Sequence, residues 1–119
     1  MTLEAKNIDR PDDQRSFEHG EVRLIQLPGA MIGRAEFRPG WRWSTDVKPH
    51  VGTDSCRMHH ISYVVSGRFH VQMDDGRELE LGPGDAHLVG PGHDARVVGE
   101  EPCVTIDFMP GGTDAQADG

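Results

Sequence analysis

From about residue 22 to residue 108 the apolar side chains come in short runs, alternating with polar ones or unbroken for four or five positions, and glycine or proline closes each run. Runs of that length with period-two alternation predict β-strands. They fall at Val22–Leu27, Met31–Phe37, Trp41–Ser44, Met58–Val65, Arg68–Met73, Glu78–Leu81, Ala86–Val89, Ala95–Gly99 and Cys103–Phe108. The separators are turn-formers such as Pro28-Gly29, Pro39-Gly40, Ser66-Gly67, Gly82-Pro83-Gly84-Asp85 and Gly90-Pro91-Gly92. Asp75-Gly76, inside Met73–Arg77, is the clearest hairpin signal, because Asp-Gly supplies the positive φ angles of a tight reversal. No i, i+3, i+4, i+7 apolar stripe lasts three turns, so helices are expected only as short pieces at the ends. Many short strands at this spacing predict a sandwich or a closed barrel.

The two ends differ from this centre. Residues 1–20 are polar and charged and carry Pro11-Asp12-Asp13, while residues 110–119 are small and acidic. Both are expected to be loose extensions around one domain at residues 21–109. A chain of 119 residues is long enough for one modest core and too short for two. No stretch reaches the roughly 18 apolar residues of a membrane span, and the first residues lack the apolar centre of a signal peptide. A soluble, cytoplasmic protein without membrane contact is expected.

Charge narrows the partners further. Twenty acidic against twelve basic residues leave a formal charge of −8, the wrong sign for phosphate backbones, so nucleic acid is not an expected partner. Cys56 and Cys103 form no CxxC pair, and free thiols in a reducing compartment are the default.

From Gly40 to Phe108 the chain resembles the cupin superfamily. The residues that carry the resemblance are Pro39-Gly40, the run Tyr63-Val64-Val65-Ser66-Gly67-Arg68, the hairpin, and then Leu81-Gly82-Pro83-Gly84-Asp85 and Pro91-Gly92. The resemblance implies an all-β fold: a single jelly-roll barrel, or double-stranded β-helix. It also implies a divalent metal held by three histidines and a glutamate. Here the chain departs from the family. Counting back from Gly67 puts His60 where the glutamate belongs, with Cys56 and Asp54, or Ser55 and Thr53, at the paired-histidine positions. In the second motif Gly90 stands at the proline position, Ala95 at the third histidine and Gly99 at the final asparagine.

A substitute site is conceivable from nearby residues. Period two puts Asp54, Cys56 and His60 on one face of an unbroken strand and His59 on the other, and in the family register His60 looks inward. His93 precedes Ala95 by one pleat, and His50 lies in the loop before the strand. His50, Cys56, His60 and His93 would offer nitrogen and sulfur donors to one divalent transition metal, zinc, iron, manganese, nickel or copper. The plainer readings are an inward histidine at 60 with a hydrogen-bond partner, a small buried thiol at 56 and solvated loop histidines at 50 and 93. Trp41 and Trp43 share a strand face and fit either a cavity wall or a packed interface. His87 is open to either role, and Asp85 is expected to fix its turn.

No phosphate-cradling glycine loop and no G-x-S-x-G nucleophile is present. The first functional reading is a barrel that binds a small molecule through Trp41, Trp43, His60 and His93. The alternative is a metal-dependent enzyme, a dioxygenase or isomerase, using the His/Cys set; whether the chain is an enzyme stays open. A homodimer formed through outer strands is expected in either case.

Overall fold

A computed structural model describes residues 3–56 and 60–110 of the protein, with His60 and Pro110 described in their backbone alone. Among the described residues nine strands form two antiparallel sheets, as expected for a jelly roll. They are β1 (Asp13–Phe17), β2 (Gly20–Leu27), β3 (Ala30–Phe37), β4 (His60–Ser66), β5 (Phe69–Met73), β6 (Glu78–Leu81), β7 (Ala86–Val89), β8 (His93–Val97) and β9 (Cys103–Pro110). The larger sheet runs β1-β2-β3-β9-β4-β7 and the smaller β6-β5-β8. Two helical turns, α1 (Trp43–Asp46) and α2 (Lys48–Val51), bridge β3 to β4.

Alternation in the sequence sets which side chains enter. On β3 Met31, Gly33 and Ala35 are buried while Ile32, Arg34 and Glu36 are less so; on β5 Phe69 and Val71 are buried between His70 and Gln72. On β4 Ser62 and Val64 are buried, whereas Ile61, Tyr63 and Val65 lie exposed on the outer face. The core cluster joins Trp41, Trp43, Val64, Phe69, Val71, Leu81, Val89 and Val97 from both sheets. Cys56 and Cys103 are buried and not joined in a disulfide, and burial pushes the Cys103 thiol up to about 11.

Three expectations are corrected. Trp41–Ser44 is not a strand: Arg42 makes one bridge to Arg96, and the chain then winds into α1. Buried Asp46 draws it into that turn by accepting the Arg42 N–H (3.1 Å), and Asp94 Oδ1 accepts the Ser44 N–H (3.0 Å) from across the barrel. The helices consequently lie mid-chain and not at the ends. The N-terminal segment is also not wholly loose, since Asp13–Phe17 pairs along its whole length with β2. An edge strand needs few apolar side chains, so Asp-Gln-Arg-Ser-Phe carried no hydrophobic signal. The hairpin, by contrast, forms as expected: Gly76 has φ 95°, and the Met73 N–H donates to the Arg77 carbonyl (2.8 Å). Asp85 does fix its turn, accepting the Gly82 N–H at 2.8 Å.

No helix among the described residues is long and apolar enough to cross a membrane.

Gly67 is needed twice over. Its φ of 76° lies in the left-handed region, and a Cβ there would run into the Pro102 carbonyl and Cys103 Cα. Gly29 also has positive φ, 85°, but faces open space. Gly29→Ala should therefore lower stability by about 1 kcal/mol, and Gly67→Ala by about 3 kcal/mol or more. Urea unfolding of the two variants checks this; equal losses would show that the close approach at Gly67 has no energetic weight.

Candidate functional site

A cavity of about 200 Å3 lies between the sheets. Its wall is mainly apolar: Phe17 from β1, Phe37 from β3, Trp41, Trp43 and Val47 from the helical crossover, and Phe69, Val71 and Val89 from the barrel strands. The aromatic side chains brace one another, with ring centroids 6.1 Å apart for Phe17 and Phe37 and 4.4 Å for Phe37 and Trp41. The crossover is pinned by its backbone. The Val97 N–H donates to the Trp41 carbonyl at 3.0 Å, and Asp46 Oδ2 sits 3.1 Å from His19 Nδ1 in the β1–β2 turn. Val71 and Val89 are shared with a wider groove of about 620 Å3 that Met73, Leu79 and Leu88 also line.

One patch of this wall is polar. Ser62 on β4 stands opposite Asp107 on β9 and opposite His87 on β7, so the three side chains form one row across three neighbouring strands, and all three line the cavity. Thr105 lies one pleat away on β9. The Ser62 hydroxyl donates to Asp107 Oδ1. That is the bond that lets a carboxyl group sit in an apolar interior.

The row is tuned toward neutrality. Burial pushes Asp107 up to about 6 from 3.8, against the opposing pull of the Ser62 hydrogen bond. Burial lowers His87 below the usual imidazole range, partly offset by the Asp85 carboxylate and main chain. The His87 ring meets Phe69 edge-on at 5.4 Å, and its Nδ1 is shut off from solvent without a well-formed hydrogen bond. The arrangement can hydrogen-bond the polar end of an otherwise apolar molecule, and it can give or take a proton.

The residues singled out by sequence divide. Trp41, Trp43, Cys56 and His93 all line the cavity. Trp43 enters from a helix and not from the expected strand. Cys56 and His93 are held together through their backbones, the Cys56 N–H donating to the His93 carbonyl at 2.7 Å. His93 Nδ1 donates to the Gly90 carbonyl at 2.7 Å, and burial lowers its pKa. His50 is exposed on α2 and takes no part in the cavity wall. His60 opens β4 opposite Val89, but its side chain and the whole of His59 lie outside the described residues, so the inward and outward assignments made for them do as well.

A transition metal needs at least three donors and a free position to do chemistry, or four to be structural. Among the described residues no group of three or more His, Cys, Asp or Glu is disposed to hold a metal ion. Cys56 and His93 are two donors at the cavity wall, and Ala95 occupies the position of a third. The described donors do not fit the family's metal, and nothing below is routed through one.

Sequence reasoning did not assign Ser62, Thr105 or Asp107 to the site. The signal was present: each is a polar residue an even number of positions from an inward one, Ser62 from Val64 and the other two from Cys103. An inward polar side chain on a buried strand marks either a hydrogen-bonded network or a site.

The raised value of Asp107 has a definite sign in stability. Its folded form binds the proton more tightly than the unfolded chain, so its contribution is fully present below about pH 4 and is lost as pH rises through about 6. His87 and His93, both lowered, act oppositely: their contribution holds above the usual imidazole range and is lost as pH falls. Asp107→Asn removes only the first effect. Its stability relative to wild type should rise on the order of 2 kcal/mol between pH 4 and pH 7, read from urea unfolding at unit pH steps; parallel curves would mean that Asp107 titrates as an ordinary carboxylate.

Comparison with known proteins agrees with this architecture. The solved structures it resembles include the polyketide cyclase RemF from Streptomyces resistomycificus, 16% identical, with 92% of this chain and 80% of that one covered and a TM-score of 0.64. KdgF from Halomonas sp. is 27% identical, with 86% and 89% covered and a TM-score of 0.58. The formate complex of oxalate decarboxylase from Lactobacillus farciminis is 19% identical, with 82% of this chain covered and a TM-score of 0.61. The chain spans only 30% of that enzyme's length. A search of curated proteins finds no match. The family model described as a cupin domain matches residues 36–109, more than half of the chain, from the end of β3 into β9. The chain belongs to the cupin domain family.

Proposed function

We propose that this cupin binds a small, largely apolar organic molecule in its barrel, with the polar end of the ligand against the Asp107–Ser62–His87 row. The observation that carries the reading is a cavity of about 200 Å3 walled by aromatic and aliphatic side chains and furnished with one polar row. Ligand pockets have this make-up, an apolar lining with a few convergent polar groups that fix orientation. An apolar protein cavity of about 150 Å3 takes up benzene, so this one has room for a ring with a small polar substituent. Ligands of about ten non-hydrogen atoms bind at best with a fraction of a kcal/mol to about 1.5 kcal/mol per atom, which favours micromolar to millimolar affinity. Acidic ligands are disfavoured by the carboxyl of Asp107 and by the chain's net charge of −8.

A second copy of the chain is the partner we propose for the outer face of the larger sheet. Ile61, Tyr63 and Val65 on β4, Leu88 on β7 and Phe108 on β9 are exposed there, and Ile61 is paired across the strands with Leu88. Two chains of charge −8 repel over most of their surface. A neutral apolar face is where they can meet, and covering it removes exposed apolar area from water.

Both readings are directly measurable. The chain's two tryptophans both line the cavity, so intrinsic fluorescence reports its occupancy without a label. Titration with cyclohexanone, acetophenone, phenol and indole should change the emission saturably for at least one compound, and Trp43→Leu should weaken that binding about tenfold; no saturable change across the set would contradict the binding reading. In sedimentation at tens of micromolar the wild type should run as a dimer. The double variant Ile61→Glu, Leu88→Glu should run as a monomer with unchanged far-UV circular dichroism, and a monomeric wild type would rule the dimer out.

A further inference from the structure

The polar row contains more than recognition of a ligand requires. A serine hydroxyl alone would orient a carbonyl, yet the row sets a carboxyl and an imidazole on either side of that serine, both lining the same apolar cavity. We infer that the cavity is catalytic: Asp107, acting with Ser62, and His87 are a general acid and a general base that enolise a small, mostly apolar carbonyl compound by moving a proton at the carbon next to its carbonyl. This rests on the ligand-binding reading above.

Geometry is the first support. Asp107 and His87 belong to strands on the two sides of β4, so their backbones are about 10 Å apart. Their side chains project into the same space, leaving room for a few substrate atoms between a donor at one end and an acceptor at the other. With Nδ1 occluded and the Asp85 main chain beside the ring, we take Nε2 to be the nitrogen that accepts the proton. Ser62, already bonded to Asp107, stands where the carbonyl oxygen would lie and can pass the proton on.

The surroundings are the second support. The mainly apolar wall favours the uncharged form of both groups. It brings a carboxylic acid up to about 6 and an imidazole below its usual range, shifts in the direction that suits an acid and a base acting on one bound molecule. The other titratable side chains lining the cavity among the described residues are Cys56 and His93; Asp85 acts on His87 from its own strand turn, and β3 presents only Gly33 opposite Asp107.

In the step itself, His87 Nε2 takes the proton from the carbon, and the C–H electron pair becomes the C=C bond of the enol. The carbonyl π pair takes the proton that Asp107 gives up, directly or through the Ser62 hydroxyl. The products are enol, imidazolium and carboxylate, with no change in total charge. Reversal returns the ketone, and in D2O the carbon then carries deuterium.

That exchange is the test. A ketone shown by fluorescence to bind, cyclohexanone or acetophenone, is incubated with the protein in D2O at pH 6, and loss of its α-proton signal is followed by NMR. Wild type should exceed free imidazole at the same concentration about 100-fold. His87→Gln should fall to the buffer rate, and Asp107→Asn should lose at least tenfold while still binding the ketone. A readout that needs no variant is the wild-type pH profile: the rate should fall tenfold per pH unit above about 6 as Asp107 loses its proton, and Asp107→Asn should lose that fall. A ketone that binds but exchanges at the buffer rate overturns this inference and leaves the binding reading standing. Equal pH profiles for wild type and Asp107→Asn overturn it too, whereas failure of every ketone to bind removes both.

Discussion

A carboxyl group inside an apolar barrel is the constraint on which the functional part of this structure depends. Asp107 sits on the terminal strand β9, in the middle of the larger sheet, where period two turns it inward with Thr105 and Cys103. An ionised carboxylate there would be strongly disfavoured, and the protein meets the difficulty in two ways: the Ser62 hydroxyl satisfies one oxygen, and the carboxyl shifts toward its neutral form. Volume is the other half of the matter. The inward positions near the row are Ala95, Cys56, Ser62 and Thr105, all small, and the larger side chains stand around the opening they leave. A cavity with a polar row is what that distribution of sizes produces.

The crossover between β3 and β4 completes the enclosure. Two tryptophans would close a barrel poorly if the segment carrying them could swing away. Asp46, bonded to Arg42 and His19, and Asp94, bonded to Ser44, fix the segment to two distant parts of the chain. Edge strand β1 adds Phe17 to the same wall. Residues that sequence alone assigned to a strand and to a loose end thus belong to one apolar lid over the site.

Much of the fold was legible because it rests on local signals. Asp75-Gly76 and Gly67 mark reversals whose backbone geometry few other residues tolerate, and alternation in β3 and β5 names the inward side chains directly. What was not legible depends on long-range pairing. Nothing within Trp41-Arg42-Trp43 says that Asp94, fifty residues on from Ser44, will hold a helical turn there. Nor can one strand show that Ser62 will have Asp107 on one side and His87 on the other, since that row exists only once β4 lies between β9 and β7. Family motifs directed attention to the positions where ligands are usual. In this chain those positions have lost the usual donors, and the polar groups stand elsewhere on the same inner wall.

The central claim is that Asp107 is a half-buried carboxyl facing a ligand cavity, and its own titration is the most direct measurement of that. With 13C-labelled aspartate, the Asp107 carboxyl resonance should titrate near 6 in the free protein and move when a cavity ligand saturates the tryptophan emission. A midpoint near 3.8 that no bound ligand displaces would contradict the account, for it would place the carboxylate in water and away from the site.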